Sequence, residues 1–161
     1  MAECVILIGL PRAGKSTVYR QRLSNTHLHI SKDRLPRSAR DKQGRQDALL
    51  RTALAEGRAV AVDNTNVSAA ERASIITIAR EHAARIIGVL IVASTREAVA
   101  RNERREKREK VPKVAIFTKA KRFELPQLAE GFDELLAYRV APDGTFEEVP
   151  LTTAGSTQPA S

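Results

Sequence analysis

The sequence has a single cysteine, no tryptophan, few aromatic residues and no long apolar run. One cysteine, Cys4, excludes an internal disulfide. Aromatic residues make up 4% of the 161 residues, which leaves few rings for stacking nucleobases. No apolar run approaches the roughly 18 residues that span a bilayer, and the acidic start lacks the pattern of a secretion signal. These absences predict a cytoplasmic protein that makes no membrane contact, with Cys4 buried as a small apolar side chain.

Positive charge, in contrast, is in excess and is unevenly distributed. The chain holds 27 Lys and Arg against 19 Asp and Glu, a formal net charge of +8. Residues 20–45 hold eight bases and two acids, residues 96–122 hold eleven bases and four acids, and the remainder is net acidic. Two basic stretches in an otherwise acidic chain indicate polyanionic ligands, although solvated helix faces would give the same counts.

Short apolar runs alternate with longer stretches of helical pattern. Strands are predicted at residues 4–8, 28–30, 59–62, 86–92 and 135–140, and helices at 15–24, 34–56, 68–82, 96–110 and 112–122. A turn at 142–144 predicts a final hairpin. The alternation predicts one α/β domain over residues 1–150, a mostly parallel sheet with helices on both faces. Residues 151–161 are predicted to be a disordered tail.

The turn after the first strand matches the phosphate-binding pattern G-x-x-x-x-G-K-[ST]. Glycines let the backbone turn its N–H groups toward a phosphate, and the following helix presents its positive end to the same anion. In this pattern the lysine reaches the β- and γ-phosphates and the serine hydroxyl binds Mg²⁺. We therefore predict a site for Mg²⁺ and ATP or another nucleoside triphosphate. Its residues are Gly9, Pro11, Arg12, Ala13, Gly14, Lys15, Ser16 and Thr17.

Two acids follow predicted strands at the edge where a parallel sheet binds its ligands. Asp33 follows the second strand and could accept a proton from an attacking hydroxyl, while Lys32, Arg34 and Arg37 hold a neighbouring anion. Position alone fits equally well with Asp33 as the N-cap of the next helix. Asp63 ends a strand of small apolar residues, where P-loop proteins place an acid that binds Mg²⁺ directly or through water.

The fourth predicted helix carries arginines at a helical spacing. Arg101 and Arg105 are four residues apart, with Arg108 three further on, which predicts one basic face. Such a face could close over a triphosphate and stabilise the transferring charge, or it could be a solvated surface. His27 and His29 alternate on a short strand and are interpreted as packing or edge residues.

Five segments occur together in an order that resembles the polynucleotide 5′-hydroxyl kinases. They are Gly-Leu-Pro-Arg-Ala-Gly-Lys-Ser-Thr (9–17), Ser-Lys-Asp (31–33), Val-Asp-Asn-Thr-Asn (62–66), Arg-Asn-x-x-Arg (101–105) and Leu-Ala-Glu-Gly-Phe (128–132). The similarity is to the kinase domain of the polynucleotide kinase 3′-phosphatases and covers residues 5–149. It implies a P-loop kinase fold with an arginine-rich helical lid, and Mg²⁺- and ATP-dependent phosphorylation of a 5′-hydroxyl end of DNA or RNA in end healing.

The resemblance also implies roles for single residues. Asp33 matches the general base, Lys15 and Arg105 match groups that stabilise charge, and Arg101 with Arg105 matches the lid. The candidate acceptor-binding residues are Lys32, Arg34, Arg37, Asp63 and Asn64, and the candidate metal ligands are Ser16 and Asp63. Asp63 falls on the acid of the family's D-x-T-N motif, which leaves the metal, the lid and the acceptor open as its contact. The chain also resembles, more distantly, the bacteriophage polynucleotide kinase. Pro36 stands where that kinase has an acceptor-binding arginine, so Arg34 or Arg37 would have to take the place of this arginine.

Two further functions remain as alternatives at this stage. The first is a P-loop kinase with a small phosphate-bearing or tRNA-linked acceptor, and the second is a nucleotide-binding module without catalysis. No D-x-D phosphatase signature precedes residue 9, so we expect no fused phosphatase in this chain and allow for a separate phosphatase or ligase partner. A strong salt dependence of acceptor binding would favour a polynucleotide over a small acceptor.

Overall fold

The computed structural model describes residues 2–106 and 110–151. Its centre is a six-stranded sheet with the strand order β2-β3-β1-β4-β5-β6. The strands are β1 (Glu3–Ile8), β2 (Leu28–Ile30), β3 (Ala59–Asp63), β4 (Arg85–Val92), β5 (Glu134–Val140) and β6 (Phe146–Glu148). The first five strands in this order are parallel to one another, and β6 pairs antiparallel with β5. The predicted mostly parallel sheet and its final hairpin are confirmed.

In the described residues, five α-helices lie between these strands. They are α1 (Lys15–Val18), α2 (Lys42–Ala55), α3 (Ala69–Glu81), α4 (Thr95–Glu103) and α5 (Lys113–Arg122). A π-helical segment, Tyr19–Leu23, continues α1, so a helical stretch covers most of residues 15–24 as expected. Short 3₁₀ turns occur at Lys32–Arg34 and Leu128–Glu130.

The sheet separates two apolar layers. Cys4 and Ile6 of β1 point to the layer that contains α2 and α3, whereas Val5 and Leu7 point to the layer of α1, α4 and α5. This alternation follows from the two-residue period of a strand, and because both sides are buried, β1 is apolar throughout. Burial raises the pKa of the Cys4 thiol to about 12, so the sulfur stays protonated and unreactive. Helices on both faces and a buried Cys4 are confirmed.

The predicted helix at residues 34–56 begins eight residues later than expected. Leu35 is extended, with ψ 150°, because the ring of the following Pro36 disfavours helical geometry in the residue before it. The helix starts only at Lys42, where Asp41 accepts a hydrogen bond from the Gly44 N–H and caps it. The segment from Leu35 to Asp41 is therefore a loop.

The predicted helix at residues 96–110 is also shorter, because α4 ends at Glu103. The buried side chain of Asn102 accepts from the Val111 N–H at 3.0 Å and donates to the Val111 carbonyl at 2.7 Å. These two bonds fix the point at which the chain turns back toward α5. Arg108 and the predicted tail from residue 152 lie outside the described residues. Within the described ranges, no helix has both the length and the apolar character needed to cross a membrane.

Candidate active site

A cleft of about 490 Å³ opens at the carboxyl edge of the sheet. It lies beside the ends of β1 and β3, where open α/β sheets bind their ligands. The residues that line it come from the P-loop, the turn after β2, the segment after β3, the end of α4 and the turn after β5. They are Pro11, Arg12, Gly14, Lys15, Ser16, Thr17, Asp33, Asp63, Asn64, Thr65, Arg101, Arg104, Arg105, Val111, Val140, Ala141, Pro142 and Gly144.

The P-loop reaches its shape through two residues with left-handed backbone geometry. Arg12 has φ 66° and Gly14 has φ 115°. A side chain at Gly14 would place its Cβ 2.8 Å from Cγ2 of Val140 and 3.0 Å from a guanidinium nitrogen of Arg101. Gly14 is thus required both for its positive φ and for the close approach of β5. It immediately precedes α1, so the helix N-terminus faces the cleft.

Lys15 folds back over the loop that carries it. Its Nζ donates hydrogen bonds to the carbonyls of Gly9 and Leu10, each at 2.8 Å, and the residue is 8% exposed. Burial lowers the pKa of Lys15 to about 8, and the nearby carboxylates of Asp63 and Asp33 partly oppose this shift. Near neutral pH its ammonium is therefore a poorly hydrated cation in the cleft.

Asp33 lies in the 3₁₀ turn after β2 and carries no capping role. Ser31 caps that turn by accepting a hydrogen bond from the Asp33 N–H at 3.2 Å, and Asp41 caps α2. Interpreting Asp33 as the N-cap of the helix is therefore wrong. Its side chain is exposed at the cleft and forms no hydrogen bond or ion pair with any other described residue. A carboxylate in this state is available to a ligand.

Asp63 is buried at the end of β3 and is held by a histidine from the neighbouring strand. Nε2 of His29 lies 2.8 Å from Oδ2 of Asp63, and Nδ1 of His29 lies 3.0 Å from a guanidinium nitrogen of Arg34. Arginine can only donate, so Nδ1 accepts and the proton is on Nε2, which donates to Asp63. Tyr19 stacks on the imidazole with ring centroids 4.1 Å apart. His29 is therefore a positioning residue for Asp63.

The Asp-Asn-Thr-Asn segment after β3 connects the parts of the cleft. Asn64 accepts from the Lys32 N–H at 3.0 Å and donates to Oε1 of Gln46 at 2.7 Å, which joins the Asp33 turn to α2. The carbonyl of Thr65 accepts from the Gly9 N–H at 2.9 Å. Asn66, with φ 48°, donates to the Leu7 carbonyl at 2.8 Å. The P-loop, the turn with Asp33 and α2 are thus all hydrogen-bonded to this one segment.

The Leu-Ala-Glu-Gly-Phe segment lies away from the cleft and holds a buried arginine. Arg72 of α3 is fully buried, and its guanidinium donates to both carboxylate oxygens of Glu130 at 2.8 and 3.0 Å. It also donates to the carbonyl of Asn66 at 2.9 Å and to that of Glu124 at 3.0 Å. Arg72 therefore anchors the end of the Asp-Asn-Thr-Asn segment, and this part of the family pattern is structural.

The lid arginines differ in their contacts. Arg101 donates to the carbonyl of Ala13 at 3.0 Å and to that of Val140, so its guanidinium braces the P-loop against β5. Burial lowers its pKa from the ordinary arginine value. Arg104 and Arg105 are exposed and line the cleft. Because α4 ends at Glu103, the prediction that Arg101 and Arg105 share one helix face is wrong, although both reach the same cleft.

Several predicted residues support the cleft without lining it. Gly9 and Ala13 act through their backbones, as donor to Thr65 and acceptor from Arg101 respectively. Lys32, Arg34 and Arg37 lie in the segment that carries Asp33 but do not line the cleft. Sequence reasoning missed His29, Arg104 and the turn after β5, since their places depend on contacts between distant segments. His29 lies on β2, two residues before the Ser-Lys-Asp segment that contains Asp33. This closeness in sequence was a signal for a place at the site, but many residues share it.

The oxygen donors of the cleft fit a magnesium ion held together with a phosphate ligand. The Ser16 hydroxyl is exposed at the first turn of α1, and the carboxylates of Asp33 and Asp63 line the same space. Mg²⁺ prefers such oxygen ligands and usually takes the rest of its shell from substrate phosphates and water. In the described part of the chain no group of three His, Cys, Asp or Glu residues could hold a metal ion by itself. This donor set therefore fits a metal that arrives with its nucleotide.

Comparison with known proteins agrees with this geometry. A family model described as "AAA domain" matches residues 4–126, well over half of the chain. The chain belongs to this AAA-domain family. Its P-loop, parallel sheet and flanking helices form a P-loop kinase fold.

One relative by sequence and two similar solved structures show the range of named activities among proteins like this AAA-domain protein. A protein of Acanthamoeba polyphaga mimivirus, named for a bifunctional polynucleotide phosphatase/kinase, is 27% identical over 141 residues, which are 83% of this chain and 32% of the viral protein. A fungal RNA kinase has a TM-score of 0.65 at 18% identity, over 86% of this chain and 38% of that one. A gluconokinase from Sinorhizobium meliloti 1021 has a TM-score of 0.61 at 18% identity, over 97% of this chain and 89% of that one. The chain thus spans about a third of the length of the viral relative.

Proposed function

We propose that this protein transfers the γ-phosphate of ATP, with Mg²⁺, to the 5′-hydroxyl end of a polynucleotide. The observation that carries the proposal is the unpaired carboxylate of Asp33 in the same cleft as the P-loop lysine. The named activity of the mimiviral relative and the likeness to a fungal RNA kinase favour a polynucleotide acceptor.

In this reaction the acceptor hydroxyl oxygen forms a bond to the γ-phosphorus while the bond to the β-phosphate bridging oxygen breaks. Asp33 takes the proton that the hydroxyl loses, and ADP leaves with the electrons of the broken bond. Lys15, Arg104 and Arg105 line the same cleft. In the proposed reaction the Lys15 ammonium offsets charge on the β- and γ-phosphates, and the two arginines add positive charge. Mg²⁺, when bound, supplies further charge neutralisation, with Ser16 and Asp63 as its ligands from this chain.

The test is incubation with γ-labelled ATP and a 5′-hydroxyl oligonucleotide, DNA or RNA, with a 5′-phosphorylated oligonucleotide as the control substrate. Asp33→Asn should lower turnover by about 10²- to 10⁴-fold, because general-base catalysis is lost. Asp41→Asn is the matched control variant, since asparagine also caps helices and Asp41 does not line the cleft. Absence of label on every 5′-hydroxyl oligonucleotide would exclude the proposed activity.

A kinase for a small acceptor is the second candidate function. It is favoured by the likeness to gluconokinase, which extends over nearly the full length of both chains. The two functions differ in how acceptor binding depends on salt, since a polynucleotide releases several counterions and a small acceptor releases few. A flat salt dependence together with phosphorylation of a small hydroxyl compound would support this second function.

A further inference from the structure

A second, shallower groove of about 380 Å³ lies beside the candidate active site. It is lined by Leu35, Arg45, Ala48, Leu49 and Thr52, which come from the loop before α2 and from one side of α2. Leu49 is 49% exposed and forms part of the apolar floor. Among the described residues it is one of four large apolar side chains that remain exposed, with Val114, Phe117 and Leu128.

The groove is rigidly connected to Asp33. Leu35 is two residues beyond Asp33 and follows the 3₁₀ turn directly. Asn64 binds both the Lys32 N–H of that turn and the side chain of Gln46, the neighbour of Arg45 on α2. The groove and the turn with Asp33 therefore belong to neighbouring, hydrogen-bonded parts of the chain.

The segment from residue 32 to residue 45, which contributes Leu35 and Arg45 to the groove, is rich in basic residues. None of the six bases between residues 32 and 45 forms an ion pair with an acid in the described part of the chain. They are Lys32, Arg34, Arg37, Arg40, Lys42 and Arg45. Toward the other end of α2, in contrast, Arg51 pairs with Glu81 at 3.7 Å. Basic side chains that lack an acidic partner, in the same segment as the apolar floor, are complementary to a strand of phosphates that carries bases.

We infer that this groove binds the acceptor strand beyond its 5′-terminal nucleotide. The inference rests on the proposed function and adds the place where the strand leaves the cleft. Bases of the second and third nucleotides lie on Leu35 and Leu49, and their phosphates pair with Arg45 and its basic neighbours. Aliphatic side chains here take the part that aromatic rings play in many single-strand binding proteins, which fits the low aromatic content of the chain.

The experiment compares acceptors of different length in the full chain. The acceptors are a nucleoside 3′-monophosphate and single-stranded oligonucleotides of two, four and ten nucleotides, all with a 5′-hydroxyl. The variants are Leu49→Ser and Arg45→Glu. Their matched controls are Leu128→Ser, which replaces another exposed leucine, and Arg58→Glu, which makes the same charge change beyond the far end of α2. Fluorescence anisotropy with a 3′-labelled ten-nucleotide strand measures binding independently of catalysis.

The wild type should bind the longer acceptors with a lower KM than the mononucleotide. Leu49→Ser and Arg45→Glu should each raise KM for the ten-nucleotide strand about fivefold or more, the loss expected for one base contact, with less than about a twofold change for the mononucleotide. Equal effects on all acceptors, no effect, or equal competition by base-free polyphosphate would overturn the inference. If the oligonucleotide binds at the groove but is never phosphorylated, the proposed function fails while the groove stands.

Discussion

Nucleotide binding should be coupled to proton uptake by Lys15. Burial against the carbonyls of Gly9 and Leu10 lowers the pKa of this lysine to about 8 in the free protein. A bound triphosphate brings negative charge next to the ammonium and raises its pKa again. About half of the free molecules carry a neutral Lys15 at pH 8, so binding should take up about 0.5 proton there and about 0.1 proton at pH 7.

Isothermal titration calorimetry in buffers of different ionisation enthalpy measures this uptake directly. Titrations with ATP at pH 7 and pH 8 give the number of protons from the slope of observed enthalpy against buffer enthalpy. Lys15→Arg is the control, because its guanidinium keeps a positive charge and does not titrate in this range. The difference between the two proteins cancels protons exchanged by the nucleotide itself. Uptake that is equal at both pH values, or equal in both proteins, would refute the reasoning.

Two other contacts give further predictions. His29→Phe keeps a ring for Tyr19 but removes the donor to Asp63, so turnover should fall about tenfold or more while the melting temperature stays within a few degrees; His29→Gln, which retains an N–H donor, should recover part of the loss. Because Asp63 is a proposed Mg²⁺ ligand, the variant should also need more Mg²⁺ for activity. An unchanged Mg²⁺ requirement in His29→Phe would contradict the role of His29 in positioning Asp63. Arg72→Met leaves the partly buried Glu130 carboxylate without its arginine partner and should cost about 3–5 kcal/mol in urea unfolding, whereas a loss below about 1 kcal/mol would show that the pair is dispensable.

The parts of the fold that were predictable from sequence have local signals. The buried strand β1 and the P-loop follow each other within residues 3–17, and the loop pattern is itself a local backbone requirement. The start of α2 was predicted too early, because the helical pattern was extended through Pro36, whose steric effect acts on the preceding residue. The end of α4 depends on Asn102 and its bonds to Val111, a contact nine residues apart that no helical periodicity encodes.

The candidate site divides in the same way. That Lys15, Asp33 and Asp63 share one cleft could be predicted from the pattern, since they lie at or beyond the carboxyl ends of parallel strands and these ends meet at one edge. The contact of His29 with Asp63 could not, because it depends on the parallel pairing of β2 with β3 and on which side of the strand each residue faces. Likewise, Arg101 has the spacing of a lid residue, but its guanidinium binds backbone carbonyls that only the folded chain brings near.

Residues 63–66 hold the P-loop and the turn with Asp33 at a fixed distance from each other. Asp63 faces the cleft, Asn64 holds the turn with Asp33, and Thr65 and Asn66 bind the chain at either side of the end of β1. A shift of this segment would move Asp33 and the P-loop relative to each other, and the proposed phosphoryl transfer tolerates little displacement of its reacting groups. The buried guanidinium of Arg72 opposes such a shift, because it donates to the carbonyl of Asn66 at the end of the segment. The Asp-Asn-Thr-Asn pattern therefore fixes the distance between the P-loop and the turn with Asp33, in addition to placing side chains at the cleft.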